Sequence, residues 1–98
     1  MPQFAVEFHP LAAGEAQAAE RWYRERNEIT SGRFQRELAR AIERISEQPE
    51  AGSPYLAGTR RVLLRRFPFF VVYRVRWDNV QIVAVAHGRR RPAYWQAR

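Results

Sequence analysis

Hydrophobic positions alternate from Gln3 to Phe8, with Phe4, Val6 and Phe8 on one side, which predicts a half-buried strand. His9-Pro10 stops the alternation, and proline suits the first position of a helix. Leu11, Ala12, Ala16, Ala19, Trp22 and Tyr23 then recur at helical spacing and predict a first helix that ends near Asn27. The alanines on this stripe imply a thin helix face lying close against its neighbour. Ile29-Thr30-Ser31-Gly32 reads as a short break, with Ser31 able to cap the next helix. Phe34, Leu38, Ala41, Ile42 and Ile45 form a stripe at i, i+4, i+7, i+8 and i+11, and Arg33, Arg36, Glu37, Arg40, Glu43, Arg44 and Glu47 cover the opposite side. So short a connection predicts an antiparallel helical hairpin, closed at Pro49.

Pro49 to Gly58 reads as a loop. Three strand-like runs follow, Arg60–Arg66, Phe69–Trp77 and Val80–His87. In the second, Phe69, Val71, Tyr73, Val75 and Trp77 share one face, and Phe70, Val72, Arg74 and Arg76 share the other. Asp78-Asn79 fits a two-residue hairpin turn, since both residues tolerate positive φ. Phe67-Pro68 precedes the second run, where a missing amide donor is tolerated. The order β-α-α-β-β-β predicts one α+β domain over residues 1–98. Its helical hairpin packs on one face of a mostly antiparallel four-stranded sheet. The other face is expected to be partly open and lined by arginines.

Charge changes this picture more than composition does. Residues 1–59 carry seven arginines and nine glutamates, a net −2, whereas residues 60–98 carry ten arginines and one acid, Asp78, a net +9. Such a split places a cationic surface on one part of the molecule, and that surface attracts polyanions. Nucleic acid or an acidic protein is the implied partner. All seventeen basic residues are arginine. Arginine binds phosphate and carboxylate in bidentate fashion but is no general base near neutral pH, so lysine-dependent chemistry is excluded. The chain has no cysteine and two distant histidines, which argues against a disulfide framework and a metal site. No cofactor is expected. No apolar run reaches the roughly 18 residues of a membrane span, and no secretory signal pattern is seen. These features predict a cytoplasmic protein.

The segment His87-Gly88-Arg89-Arg90-Arg91-Pro92-Ala93-Tyr94-Trp95 gathers the candidate chemistry. His87 at a strand end can move a proton near neutral pH. Arg89 and Arg90 beside it can hold a phosphate and stabilise charge developing on it. Tyr94 or Trp95 can stack on a splayed base. Together they suit attack of a ribose 2′-hydroxyl on its own phosphodiester. The competing reading makes His87 a hydrogen-bonded edge residue and the arginine run a solvated patch. Arg60, Arg61, Arg65 and Arg66 form a second basic group, either on a binding surface or guarding a sheet edge. In an extended strand Arg60 and Arg66 face one side, Arg61 and Arg65 the other. Trp22, Tyr23, Phe69, Phe70 and Tyr73 read as core or interface, and His9 as structural.

These landmarks resemble the RelE/ParE superfamily of bacterial type II toxins. The resemblance rests on Phe8-His9-Pro10, Trp22-Tyr23, Phe34, Glu37-Leu38, Ala41-Ile42-Ile45, Arg60-Arg61, Arg66-Phe67-Pro68-Phe69, Val72-Tyr73-Arg74 and the ending Val85 to Trp95. It implies a growth-inhibiting toxin and a cognate antitoxin, with an acidic or amphipathic segment, in a hetero-oligomer. RelE-like members cut messenger RNA in the ribosome, and ParE-like members poison DNA gyrase. Without lysine, the nuclease roles fall to Arg65 or Arg66, with His87 and Tyr94 moving protons. The Arg-Phe-Pro-Phe stretch and the His-Gly-Arg-Arg run resemble the ParE-like side. The expectation is therefore a gyrase-binding toxin, with the ribosome-dependent endoribonuclease as the alternative. A nontoxic relative that only binds antitoxin is a third. His87, Arg89, Arg90 and Tyr94 are the catalytic candidates if it is a nuclease. Arg60, Arg61, Arg65, Arg66, Arg74, Arg76, Arg91 and Trp95 are the candidates for binding target or antitoxin.

Overall fold

Phe4 marks the edge of the first element. In the computed structural model, which describes residues 3–98, strand β1 spans Ala5–Phe8. It is shorter than the expected Gln3–Phe8 because α2 takes up the backbone of Phe4. Phe4 N–H donates to Ser46 O at 2.9 Å, and Ser46 Oγ donates to Phe4 O at 2.7 Å. Met1 and Pro2, the start of the expected 1–98 domain, lie outside the described residues.

Helix α1 spans Pro10–Arg26, with Pro10 at its start and His9 Nδ1 accepting from Leu11 N–H at 3.1 Å. Helix α2 spans Glu28–Glu47. The break between them is one residue, and its cap is Asn27, not Ser31. Asn27 is extended (φ −166°), its N–H donates to Tyr23 O, and its Oδ1 accepts from the amides of Ile29 and Thr30. One residue thus serves both helix ends, its backbone N–H at the end of α1 and its side-chain oxygen at the start of α2. Ser31 consequently sits inside α2, where its hydroxyl donates to Glu20 Oε2 at 3.0 Å and ties the helices together. Pro49 follows the end of α2 as expected.

The sheet has five strands in the order β1-β5-β4-β3-β2, with β2 at Ser53–Pro54, β3 at Arg60–Leu63, β4 at Phe69–Arg76 and β5 at Asn79–His87. The fold class is α+β as expected, but the strand count is one higher. Ser53–Pro54 pairs with Arg60–Arg61 inside what reads as loop. Among the described residues, only β1 runs parallel to its neighbour, pairing Ala5–Phe8 with Asn79–Ile82, so β5 occupies the sheet interior between β1 and β4. The hairpin turn is Trp77-Asp78, since Arg76 pairs with Asn79. Trp77 takes the positive φ (53°) and is 98% exposed, so the shared face expected for Phe69 to Trp77 ends before the turn.

Alternation places Val71 and Tyr73 with Phe34, Ile45, Ala12 and Ala19 in a core beneath the helices. The alanines let α1 approach β5 closely, as their size requires. Tyr23, Phe34, Phe67 and Phe69 interlock there, ring centroids 5.2–6.3 Å apart. Trp22, expected in a core or interface, lies outside the core, half exposed, with the Arg26 guanidinium 3.7 Å over its ring.

The opposite face is not the open, arginine-lined surface expected. Val72, Val83, Ala84, Ala86 and Trp95 form a second core there, flanked by Tyr55, Phe70 and Tyr94. A register shift places Val83 between the pairs Val72↔Ala84 and Tyr73↔Ile82, so Val83 and Ala84 both contribute to this face. The chain after β5 folds back to roof it. Among the described residues, no helix is long and apolar enough to cross a membrane.

Candidate functional site

Strand β1 stops at Phe8, opposite Ile82, so β5 continues beyond it without a parallel neighbour. Glu15, on the first turns of α1, reaches that bare edge. Its carboxylate accepts from Val85 N–H at 3.0 Å, from Tyr94 Oη at 2.7 Å, and from both Arg98 Nη atoms at 2.9 Å. Arg98 Nη1 also donates to Val83 O at 3.1 Å, and Arg90 Nη1 lies 3.7 Å from Glu15 Oε2. One carboxylate thus fastens the helix, the last strand and the C-terminal segment together. Burial pushes the Glu15 carboxyl up, but hydrogen bonds from Arg98, Tyr94 and the Val85 amide, with the Arg98 charge, outweigh it and hold its pKa below the ordinary 4.5. The same burial, reinforced by the Glu15 carboxylate, drives the Tyr94 phenol far above its usual range.

The fold engages Tyr94, one nitrogen of His87 and one face of Arg90, and leaves the Arg89 guanidinium exposed. Tyr94 Oη donates its hydrogen bond to Glu15. Arg90 lies with its guanidinium 3.7 Å over the Tyr94 ring. His87, half-buried at the end of β5, packs edge-on against Phe69 with centroids 5.0 Å apart, and its Nδ1 accepts from Arg89 N–H at 3.0 Å. Arg90 N–H caps the His87 carbonyl at 3.0 Å. The Arg89 side chain is exposed.

The binding candidates separate into two groups. Arg60 donates to Gly52 O at 2.7 Å and, more weakly, to Glu50 O at 3.4 Å. Arg61 lies over the rings of Tyr55 (4.3 Å) and Phe70 (5.1 Å). Arg74 bonds Gln81 Oε1 and Arg98 O. Trp95, expected on a binding surface, is 1% exposed and belongs to the second core. These four stabilise the fold. Arg65, Arg66, Arg76 and Arg91 are exposed, and among the described residues they form no ion pair.

The expected alternation of Arg60 to Arg66 breaks down because β3 ends at Leu63 and Arg66 takes φ 67° in the turn. Arg65 and Arg66 therefore line one groove rather than opposite faces, together with Arg33, Arg36 and Arg40 of α2. The α2 periodicity places those residues only on the side opposite its apolar stripe, and no motif singles out Glu15 or Arg98. A lone charge in the alanine-rich stretch Ala12–Ala19 was the available signal for Glu15. Among the described residues, no three His, Cys, Asp or Glu side chains gather as metal ligands.

A second constellation holds the loop after α2. Tyr73 Oη, buried, donates to Pro49 O at 2.6 Å and accepts from Gly52 N–H at 2.9 Å. Gly52 lies so close that a Cβ there would sit 2.6 Å from that oxygen.

Comparison with known proteins follows the same outline. The family model described as the ParE toxin of the type II toxin–antitoxin system parDE matches residues 6–92. Toxin ParE2 of Mycobacterium tuberculosis, in strains CDC 1551 / Oshkosh and ATCC 25618 / H37Rv, is 37% identical over 49 residues, 50% of this chain and 47% of the relative. The chain thus matches about half the length of these curated relatives. A solved structure titled as the chromosomal ParDE TA system from P. aeruginosa superposes with a TM-score of 0.74 at 17% identity, covering 86% of this chain and 95% of that one. At that identity the likeness is one of fold.

Proposed function

We propose that this chain, which belongs to the ParE toxin family of the RelE/ParE superfamily, inhibits growth by binding and poisoning DNA gyrase and is neutralised by a cognate antitoxin. The observation that carries this reading is the commitment of Tyr94 and Arg90 to the Glu15 clasp. A phenol hydrogen-bonded to a carboxylate, with its pKa raised, is poorly placed to exchange protons near neutral pH. His87 keeps only its Nε2 side for chemistry, and the chain holds no lysine to complete an acid–base set. A rigid docking surface fits these facts better than a catalytic centre.

In this reading the exposed Arg76, Arg89 and Arg91 meet the protein target or an acidic or amphipathic antitoxin segment. The toxin and antitoxin form a hetero-oligomer in the cytoplasm, where gyrase works. Induced expression without antitoxin, with plasmid topology and total RNA sampled from the same cultures, tests the reading. Relaxed plasmid with intact messenger RNA supports it. Codon-positioned cleavage with normal topology would replace it with the endoribonuclease. Unimpaired growth would leave a nontoxic antitoxin-binding relative.

A further inference from the structure

Arg60, Arg61, Arg74 and Arg98 are tied to the chain itself. Besides the exposed Arg76, Arg89 and Arg91, a denser group of uncommitted arginines lies between α2 and the sheet. A groove of about 430 Å³ runs between α2 and the turn joining β3 to β4, lined by Arg33, Arg36, Arg40, Arg65 and Arg66. Its sole carboxylate, Glu37, is engaged by Arg40 Nη1 at 2.8 Å. Among the described residues, the other four guanidinium groups form no ion pair. Keeping four like charges together opposes folding unless an anion offsets them.

We propose that this groove binds the sugar–phosphate backbone of double-stranded nucleic acid. This inference goes beyond the gyrase reading and does not rest on it. Guanidinium forks match phosphate oxygens in bidentate geometry. Arg33, Arg36 and Arg40 follow one another at i, i+3 and i+7, on one side of α2. They span roughly 10 Å along the helix axis, which is about three nucleotide rises of one strand. Arg65 and Arg66 face them from the turn, so a backbone lying in the groove meets cations on both sides.

The lining argues against other polyanions. A protein segment needs an apolar anchor in a pocket. The aromatic ring here, Phe67, is already packed against Tyr23 and Phe34, with centroids 5.2 and 5.4 Å away. The same absence of a free ring disfavours single strands, whose binding sites stack splayed bases on aromatic side chains. Stacked duplex, read through its phosphates and without regard to sequence, is the remaining fit.

The test is fluorescence anisotropy of the purified full chain with a labelled random-sequence 20-base-pair DNA duplex at 50 and 200 mM salt. Neutralising four phosphates gives a log–log salt slope near −3.6, a loss of roughly 150-fold in affinity across that range. Arg36→Ala/Arg65→Ala should reduce the slope to about −1.8, with roughly 12-fold loss. Arg33→Ala/Arg66→Ala should do the same, which guards against one pair acting through misfolding, and circular dichroism melts check that both remain folded. Arg21→Ala/Arg24→Ala removes equal charge outside the groove and should leave the slope within about 0.5 of wild type. Equal slopes in all three double variants would mean diffuse attraction and overturn the proposal. So would the absence of duplex binding, tighter binding of a single-stranded 20-mer, or displacement by poly-glutamate at lower concentration than by unlabelled duplex. The last result would assign the groove to an acidic protein segment.

Discussion

Replacing Glu15 with alanine removes the acceptor for four hydrogen bonds, from Val85 N, Tyr94 Oη and both Arg98 Nη atoms. It also leaves the Arg98 guanidinium, whose side chain is 12% exposed, without its counter-charge. Breaking one side of a fully buried ion pair costs about 3–5 kcal/mol. Residual solvent access at both side chains places this pair at the lower end, about 3 kcal/mol, with the orphaned Val85 amide included. For a chain of this size that lowers Tm by roughly 12–24 °C. Urea unfolding followed by far-ultraviolet circular dichroism at pH 7 measures it directly. Glu15→Gln keeps the shape and most of the acceptor capacity, so it isolates the charge. Because the folded pKa of Glu15 lies below its ordinary 4.5, the charge contributes its full stability above that value. The contribution is lost as pH falls through the lowered folded pKa, so the gap between wild type and Glu15→Gln should narrow with acidification. A Glu15→Ala variant within about 0.5 kcal/mol of wild type at pH 7 would refute the clasp.

His87→Ala and Tyr94→Phe should both retain growth inhibition at permissive temperature, with Tyr94→Phe losing about 1–2 kcal/mol of stability. Folded, antitoxin-binding variants that failed to inhibit growth would restore the nuclease. Tyr73→Phe should cost about 1–3 kcal/mol, because Gly52 N–H loses its buried acceptor, and amide exchange at Gly52 should accelerate in step. Gly52→Ala should cost a similar 1–3 kcal/mol, roughly, by overpacking against the Tyr73 ring and hydroxyl. Trp77→Asn should stabilise by roughly 0.5 kcal/mol in the same urea assay, since asparagine tolerates the left-handed backbone at that turn.

The parts of the fold that follow from local periodicity were legible. The apolar stripe of α2 and the alternation of Phe69 to Tyr73 reflect burial on one side, which any helix or strand must show in its own residues. Features made by partners distant in sequence were not. Glu15 meets Val85, Tyr94 and Arg98 across 70 to 83 positions, and nothing near Glu15 announces them. The extra residue at Val83 shifts the faces of β5 without any glycine to mark it. Cationic residues were countable in the sequence, but their availability was not. Arg60, Arg61, Arg74 and Arg90 looked as free as Arg65 until the carbonyls, rings and carboxylate opposite them were placed.

The position of β5 also governs the order in which the molecule can be made. The last strand to be synthesised lies inside the sheet, and the first strand, β1, pairs only with it. Until β5 has emerged from the ribosome, the nascent chain can form its helical hairpin and the local β3–β4 ladder, but neither the sheet nor the clasp to Glu15. A chain without β5 therefore presents unpaired strand edges and bare apolar helix faces. Any partner that binds these edges and faces during synthesis competes directly with the slow closure of this long-range topology.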